Sequence, residues 1–212
     1  MAIQLASRKV SVALASRTSA DLVTLENEIR NAGGIALAIA TDVSIAAQVA
    51  TLVEETSARL GPVDVLVNNA GVVEPSLLVD MPEESWDRVL DINLKSAFLC
   101  TRMVLPSMIK KRRGRIINVS SISGRLGTPR LVSYCASKWG LIGLTKSIAE
   151  EVREYNIQAF AICPGSVDTQ MLKRGLPGAE PQMSPEDVAS TIVYLATEAP
   201  DAMTGGVIDM FG

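Results

Sequence analysis

Tyr134 and Lys138 stand four residues apart in a segment with helical periodicity, so a phenol and an ammonium share one face. An ammonium beside a phenol favours phenolate, and the pair is expected to lower the tyrosine pKa from about 10. Such a pair can transfer a proton without histidine, and the chain contains no histidine. That absence removes every Ser–His or Cys–His nucleophile and every histidine metal ligand. By itself the pair is a weak signal, because a surface helix carries one by chance in roughly one sequence in ten. Ser121 strengthens it: the residue lies thirteen positions before Tyr134, just past the aliphatic run Arg115–Val119.

Other polar residues also sit where aliphatic runs end. Arg17 follows the first run, in Ser16-Arg17-Thr18. An arginine there can pair with the ribose phosphate of NADP, where an acid would favour the free hydroxyl of NAD. The plain alternative is a solvated basic residue. Asp42-Val43 follows the second run, and Asn68-Asn69-Ala70-Gly71 the third. Two amides and two small residues suit a tight turn where backbone meets a flat ligand. Pro164-Gly165-Ser166-Val167-Asp168-Thr169 follows the fifth run, and Pro-Gly ends a strand sharply, leaving backbone groups free for a ligand. The basic run Lys110 to Arg115 suits an acidic partner such as an acyl carrier protein. It suits better a solvated helix end, where positive charge matches the dipole.

These residues need elements to hold them. Short aliphatic runs at Val10–Ala15, Ile35–Ala40, Val63–Val67, Arg115–Val119, Ile157–Cys163 and Val207–Asp209 read as strands. Amphipathic segments alternate with them as helices: Ser19 to Asn31, Ile45 to Leu60, Met81 to about Lys111, Leu131 to Tyr155, and Pro185 to about Ala199. The last opens on Ser184-Pro185-Glu186-Asp187, a cap, a first-turn proline and acids near the positive end of the dipole. Gly165 to Met183 reads as an irregular loop. Alternating strands and helices predict an α/β, Rossmann-like, doubly wound parallel sheet in a single domain over residues 1–212, with ligands at the carboxyl ends of the strands.

Composition narrows the function. Twenty basic and 23 acidic residues leave a net charge of −3, a poor footprint for nucleic acid. No apolar run reaches the roughly 18 to 20 residues that cross a membrane, and Met1 to Val10 lacks the features of a signal peptide. The three cysteines, Cys100, Cys135 and Cys163, are too scattered for a disulfide framework or a zinc site. They predict reduced thiols in a cytoplasmic protein, with no metal. Cys135 reads as a small buried residue.

Together the Asn-Asn-Ala-Gly string, the serine before Tyr-x-x-x-Lys and the Pro-Gly after the fifth strand resemble the short-chain dehydrogenase/reductase family, including its 3-oxoacyl-(acyl-carrier-protein) reductase-like members. The resemblance runs from about Ala2 to Phe211. It implies a nicotinamide-dependent oxidoreductase acting on a carbonyl or secondary alcohol. Tyr134 would exchange the proton, Lys138 would lower the tyrosine pKa and hold the nicotinamide ribose, and Ser121 would hold the substrate oxygen. Asn93 would hold a water linking Lys138 to solvent; its plain alternative is hydrogen bonding inside a helix. The cofactor implied is NADP(H) in preference to NAD(H). Arg17 would meet its phosphate, Asp42 and Val43 the adenine, and Asn68, Ala70 and Gly71 the adenosine and its ribose. Pro164, Gly165 and Val167 would line the nicotinamide, with Thr169 near its amide or the pyrophosphate. Residues 166–182 would be a mobile lid. The helices Met81–Lys111 and Leu131–Tyr155 would pack across a two-fold axis in a homodimer or homotetramer.

The chain departs from that family at its start. The family opens with a strand and the turn Thr-Gly-x-x-x-Gly-x-Gly, and here the first residues look like the end of the following helix. In the order 3-2-1-4-5-6 the absent strand is central. Its absence predicts that the runs Val10–Ala15 and Val63–Val67 lack their shared neighbour, and that the pyrophosphate loses its backbone donors. Three explanations stay open. The domain is N-terminally truncated relative to a longer protein, the favoured reading. It is a natural short form without cofactor binding, a non-catalytic module for oligomerisation or interaction. Or its sheet closes differently, with help from another chain.

Overall fold

Eight consecutive residues, Ile157–Pro164, form a strand that is buried throughout, as expected where a parallel sheet is covered on both faces. The computed structural model describes residues 1–211. In chain order its elements are α1 (Ala2–Ser7), β1 (Val12–Ser16), α2 (Ser19–Asn31), β2 (Ala36–Ala40), α3 (Ala46–Leu60), β3 (Val65–Asn68), α4 (Glu83–Leu90), α5 (Ser96–Lys111), β4 (Gly114–Val119), α6 (Val132–Glu151), β5 (Ile157–Pro164), α7 (Gln170–Gly175), α8 (Pro185–Thr197) and β6 (Val207–Met210). All strand pairs are parallel. The alternation read from the sequence therefore stands, and the fold is a single-domain α/β Rossmann-like one.

The sheet is broken. One part has two strands, β1-β2; the other has four, β3-β4-β5-β6. The break lies between β1 and β3, the neighbours that the sequence leaves without a common partner. Helices span it on both sides. On one, α3 packs on α5 and against β1. On the other, α1 touches β1 and α8. Leu5 of α1 enters the core of Ile117, Phe160, Ile162 and Ile192, and Arg8 pairs with Glu198 just past the end of α8.

Several local expectations change. The stretch Met81–Lys111 is interrupted: α4 and α5 are joined by a π-helical turn over Asp91–Lys95. Pro82 immediately precedes α4. The wider turn presents Asn93 inward, where it is buried. Leu131–Tyr155 is α6 followed by a 3₁₀ turn at Arg153–Tyr155. The span Gly165 to Met183 is not wholly irregular, because Thr169 caps α7 by accepting from Leu172 N at 3.2 Å. The predicted capping box at Ser184 is present, with Asp187 reciprocating. Cys135 is half-buried, while Cys100 and Cys163 are buried.

The basic run serves the fold. Lys111 pairs with Asp64 at 2.7 Å. Arg115 donates to the carbonyls of Leu195 and Ala199, tying β4 to the end of α8. Among the described residues no helix is long and apolar enough to cross a membrane. Nor do three or more Cys, Asp or Glu gather there to hold a metal.

Candidate active site

The carboxyl ends of β3, β4 and β5 converge on a cavity of about 480 Å³. Its polar end holds Ser121, Tyr134, Lys138 and Asn69; Val73, Leu131, Met171, Leu172 and Leu176 form an apolar wall. The predicted catalytic group is thus gathered in one place, with Tyr134, Lys138 and Ser121 all buried.

Local structure explains the gathering. Ser121 precedes a 3₁₀ turn over Ile122–Gly124, and its hydroxyl accepts from Ser123 N at 3.1 Å. That turn lies tight on α6. A Cβ on Gly124 would come within 2.8 Å of Ser120 Oγ and 2.9 Å of the Lys138 carbonyl oxygen, so only glycine allows the approach. Ser120 Oγ donates to the same carbonyl at 2.9 Å. The strand end and the Tyr134–Lys138 face of α6 are therefore fastened to each other.

The electrostatics differ from expectation. Lys138 Nζ donates to the Val119 carbonyl at 2.8 Å and sits 5.6 Å from the centroid of the Tyr134 ring. Burial lowers its pKa to about 8. The Tyr134 phenol is not lowered by the lysine. Burial raises it above its ordinary value, and the neighbouring Ser121 hydroxyl works against that rise. Desolvation of the phenolate exceeds every attraction available to it. The Tyr134 hydroxyl lies 3.9 Å from Met171 Sδ of α7.

Asn93 is held through its side-chain amide. Its Oδ1 accepts from Val72 N at 2.7 Å, and its Nδ2 donates to Val72 O and Ser137 Oγ, each at 3.0 Å. It therefore fixes the turn after β3. Gly71 in that turn is packed between the two: a Cβ there would lie 3.5 Å from Asn93 Oδ1 and 3.7 Å from Lys138 Nζ. Asn68 donates to Asn118 Oδ1 at 2.8 Å, and Asn118 donates to Thr145 Oγ1 at 2.8 Å. This buried chain of side chains joins β3, β4 and α6.

The residues read as cofactor contacts form two groups. Gly71, Tyr134, Lys138, Pro164, Gly165, Val167 and Thr169 line the cavity. Thr169 Oγ1 is engaged as the α7 cap and donates to Val167 O at 3.2 Å. Of the rest, Asn68 and Ala70 lie at the end of β3, and Arg17, Asp42 and Val43 after β1 and β2. Arg17 is exposed, and its charge reaches Asp42. Asp42 Oδ1 accepts from Ser44 Oγ at 2.6 Å and Ser44 N at 3.0 Å, and these bonds hold its carboxyl below the usual range. Val43 packs beside Val49, Leu99 and Cys100. Asn69 and Ala70 are exposed at the mouth.

These residues fit the two ends of a nicotinamide dinucleotide. Gly71 presents no side chain beside Lys138, and Lys138 has donors left after Val119. The Val119 carbonyl was not foreseen, and Met171 was foreseen only as part of the 166–182 lid. A backbone carbonyl carries no sequence signal, and Met171 reads as core filler until α7 folds over the cavity.

Comparison with known proteins agrees with this geometry. The family described as short chain dehydrogenase matches residues 1–178. A 3-oxoacyl-(acyl-carrier-protein) reductase FabG from Thermotoga maritima is 43% identical over 176 residues, 78% of this chain and 71% of that protein. A 3-oxoacyl-(acyl-carrier-protein) reductase from Synechocystis is 39% identical over 207 residues, 93% of this chain and 82% of that protein. Among solved structures, a variant of the actinorhodin polyketide ketoreductase with NADPH superposes with a TM-score of 0.93 at 29% identity, covering 100% of this chain and 90% of that one. A short-chain type dehydrogenase/reductase from Mycobacterium marinum gives a TM-score of 0.92 at 30% identity, over 100% of this chain and 88% of that one. With its serine, tyrosine and lysine brought together on a Rossmann-like sheet, this chain belongs to the short chain dehydrogenase family of nicotinamide-dependent oxidoreductases.

Proposed function

We propose that this chain reduces a carbonyl to a secondary alcohol with NADPH, and that its substrate is a 3-oxoacyl thioester or a similar ketone. The observation that carries this reading is the neutral, buried Tyr134 phenol facing a cavity with one polar and one apolar end. The phenol holds its proton at neutral pH, so it can give one to a carbonyl oxygen as negative charge develops there. The apolar wall of Val73, Leu131, Leu172 and Leu176 suits an acyl chain. The names of the reductase relatives point the same way.

Each residue has a part. Ser121 Oγ holds the carbonyl oxygen while negative charge develops on it. Tyr134 gives that oxygen its proton, and Lys138, charged below pH about 8, steadies the phenolate left behind. Bound nicotinamide supplies the hydride that reaches the carbonyl carbon. Lys138 and Gly71 hold its ribose, and Pro164, Gly165, Val167 and Thr169 flank its ring. Asn68 and Ala70 border the adenosine, Asp42 and Val43 the adenine, and Arg17 the phosphate of NADP. Asn93 acts as a positioning residue through Val72. Phe98 on α5 and Trp139 on α6 are large and exposed, which supports a homodimer or homotetramer built on those helices. A cytoplasmic location accords with the free cysteines.

The test is a titration of the chain with NADPH, followed by cofactor fluorescence, with NADH alongside. A 3-oxoacyl thioester is then offered while NADPH absorbance is followed. Saturable binding that prefers NADPH, with turnover lost in Tyr134→Phe, is the expected result. Binding without turnover on any ketone removes the catalytic reading. A second reading rests on the broken sheet: a chain that binds no cofactor and serves as an oligomerisation or interaction module. Absence of NADPH binding by a folded chain selects it.

A further inference from the structure

Met171 is exposed and yet touches the buried Tyr134 hydroxyl. All eight methionines of the chain lie among the described residues, and Met171 alone is exposed; Met108 and Met183 are buried and the other five half-buried. Its Sδ lies 3.9 Å from the Tyr134 hydroxyl. Its methyl group lies beside Gly71, where a Cβ would come 3.6 Å from Met171 Cε and 3.7 Å from Lys138 Nζ. The thioether end thus sits among Tyr134, Gly71 and Lys138, in the space where a carbonyl and a nicotinamide ribose are proposed to bind. Solvent reaches that same side chain from outside.

The segment that carries it is lightly held. None of the six residues of α7 is buried. Gly175 rests against Val73, Thr169 caps the first turn, and Lys173 pairs with Asp168 at 3.2 Å in the open. An exposed ion pair of this kind contributes little. One further hydrogen bond from α7 to the cavity floor therefore changes how firmly the segment closes.

A thioether sulfur is a weak acceptor, so a carbonyl oxygen displaces it from the phenol. A sulfoxide is polar and behaves differently. Its oxygen, placed on the side of Sδ that faces Tyr134, shortens the 3.9 Å gap by one bond and comes within hydrogen-bond reach. The phenol then donates to that oxygen and is no longer free to donate to a substrate. Lys138, beside the same methyl group, also has donors left.

We propose that Met171 is a reversible oxidation site that switches the catalytic pair off: its sulfoxide oxygen accepts from the Tyr134 hydroxyl and pins α7 over the cavity. The oxidant is a hydroperoxide. A lone pair on Sδ attacks the terminal peroxide oxygen, so that the S–O bond forms and the O–O bond breaks. The proton of that oxygen passes to the departing oxygen, which leaves as an alcohol or as water. Sulfur loses two electrons and the peroxide gains them. Two thiols reverse the step through a methionine sulfoxide reductase, giving the thioether, a disulfide and water. The switching rests on the reductase reading of this site; the oxidation and the pinning do not need turnover to be seen.

The chain is treated with hydrogen peroxide, and each methionine is followed by peptide mass. Met171 is expected to oxidise at least tenfold faster than Met183, which is buried beside the bridge to Val167. Amide hydrogen exchange is measured before and after treatment. Oxidation is expected to slow the amides of Lys173 and Leu176 at least tenfold, and to leave them unchanged in Tyr134→Phe, which lacks the donor. NADPH consumption with a 3-oxoacyl thioester is expected to fall at least tenfold. It is expected to return when sulfoxide reductases for both epimers are added with a dithiol. Each variant is compared with its own untreated sample: Met171→Leu keeps its rate through treatment, and Cys135→Ser loses it as the unaltered chain does. If Met171→Leu does not fold, the exchange comparison with Tyr134→Phe decides. Equal oxidation of Met171 and Met183, faster exchange of α7 after oxidation, or unchanged turnover of the sulfoxide form overturns the inference. A chain that turns over no ketone before treatment refutes the reductase reading instead, and the oxidation and exchange rates then decide the sulfoxide contact by themselves.

Discussion

The four-stranded and two-stranded parts of the sheet contrast sharply. Every residue of β5 is buried, whereas every residue of β3 at the break is only half-buried, and Leu14 alone is buried in β1. The proton-transfer residues all stand on the four-stranded part and on α6 packed against it. Arg17, Asp42 and Val43 stand on the two-stranded part, which reaches the rest only through helices and the loops that follow the strands. Chemistry that demands sub-ångström placement is thus held by continuous sheet and a buried Asn68–Asn118–Thr145 chain. The residues proposed to select the cofactor stand on the part whose position depends on side-chain packing.

The contrast is sharpened most by Tyr134→Phe. It is expected to lower carbonyl reduction by about 10³-fold, with the urea midpoint close to that of the unaltered chain; steady-state kinetics and a denaturation curve check both. Next comes a pair of core truncations. Ile162→Ala in β5 is expected to cost about 2 to 5 kcal/mol. Val12→Ala, on the half-buried strand β1, is expected to cost about 1 kcal/mol, both read from urea unfolding. Equal costs would mean that the two parts are equally well packed.

A smaller effect concerns selectivity. Arg17→Ala is expected to weaken NADPH binding about tenfold, or about 1.4 kcal/mol, and to leave NADH binding unchanged. Equal weakening of both would deny Arg17 a role at the phosphate. The smallest effect is a pH slope. Burial lowers Lys138 to about 8 from an ordinary 10.5. Between those values the unfolded chain holds a proton that the folded chain has released, so stability rises with pH there. The window read is pH 8 to 9, where the thiols of the unfolded chain also ionise, near 8.5, and oppose the slope equally in the comparison variant. Unfolding free energy is expected to climb by up to about 1 kcal/mol more across that window than in Lys138→Met.

Much of the site was legible in the sequence. Ser121, Tyr134 and Lys138 meet because a strand end and one helix face are both encoded by short-range pattern. The break was legible too, since the strand order of a doubly wound sheet places the absent strand between the runs at Val10–Ala15 and Val63–Val67. The reading failed where neighbours distant in sequence decide. The Tyr134 phenol is raised rather than lowered because depth of burial, not the lysine four residues away, dominates. The contact of Asn93 with Val72 was not legible either, because a π-turn carries it inward and no propensity marks that turn.

By itself the sequence determined the alternation of strands and helices, their parallel order, and the identities of the groups able to move a proton. Those follow from periodicity and residue chemistry, which act over a few neighbours. Tertiary structure alone decided the upward shift of the tyrosine pKa, the α7 methionine laid over it, and the pairing of Asn93 with Val72. Desolvation and pairing depend on which surfaces close over a residue, and that is settled only when the whole chain has packed.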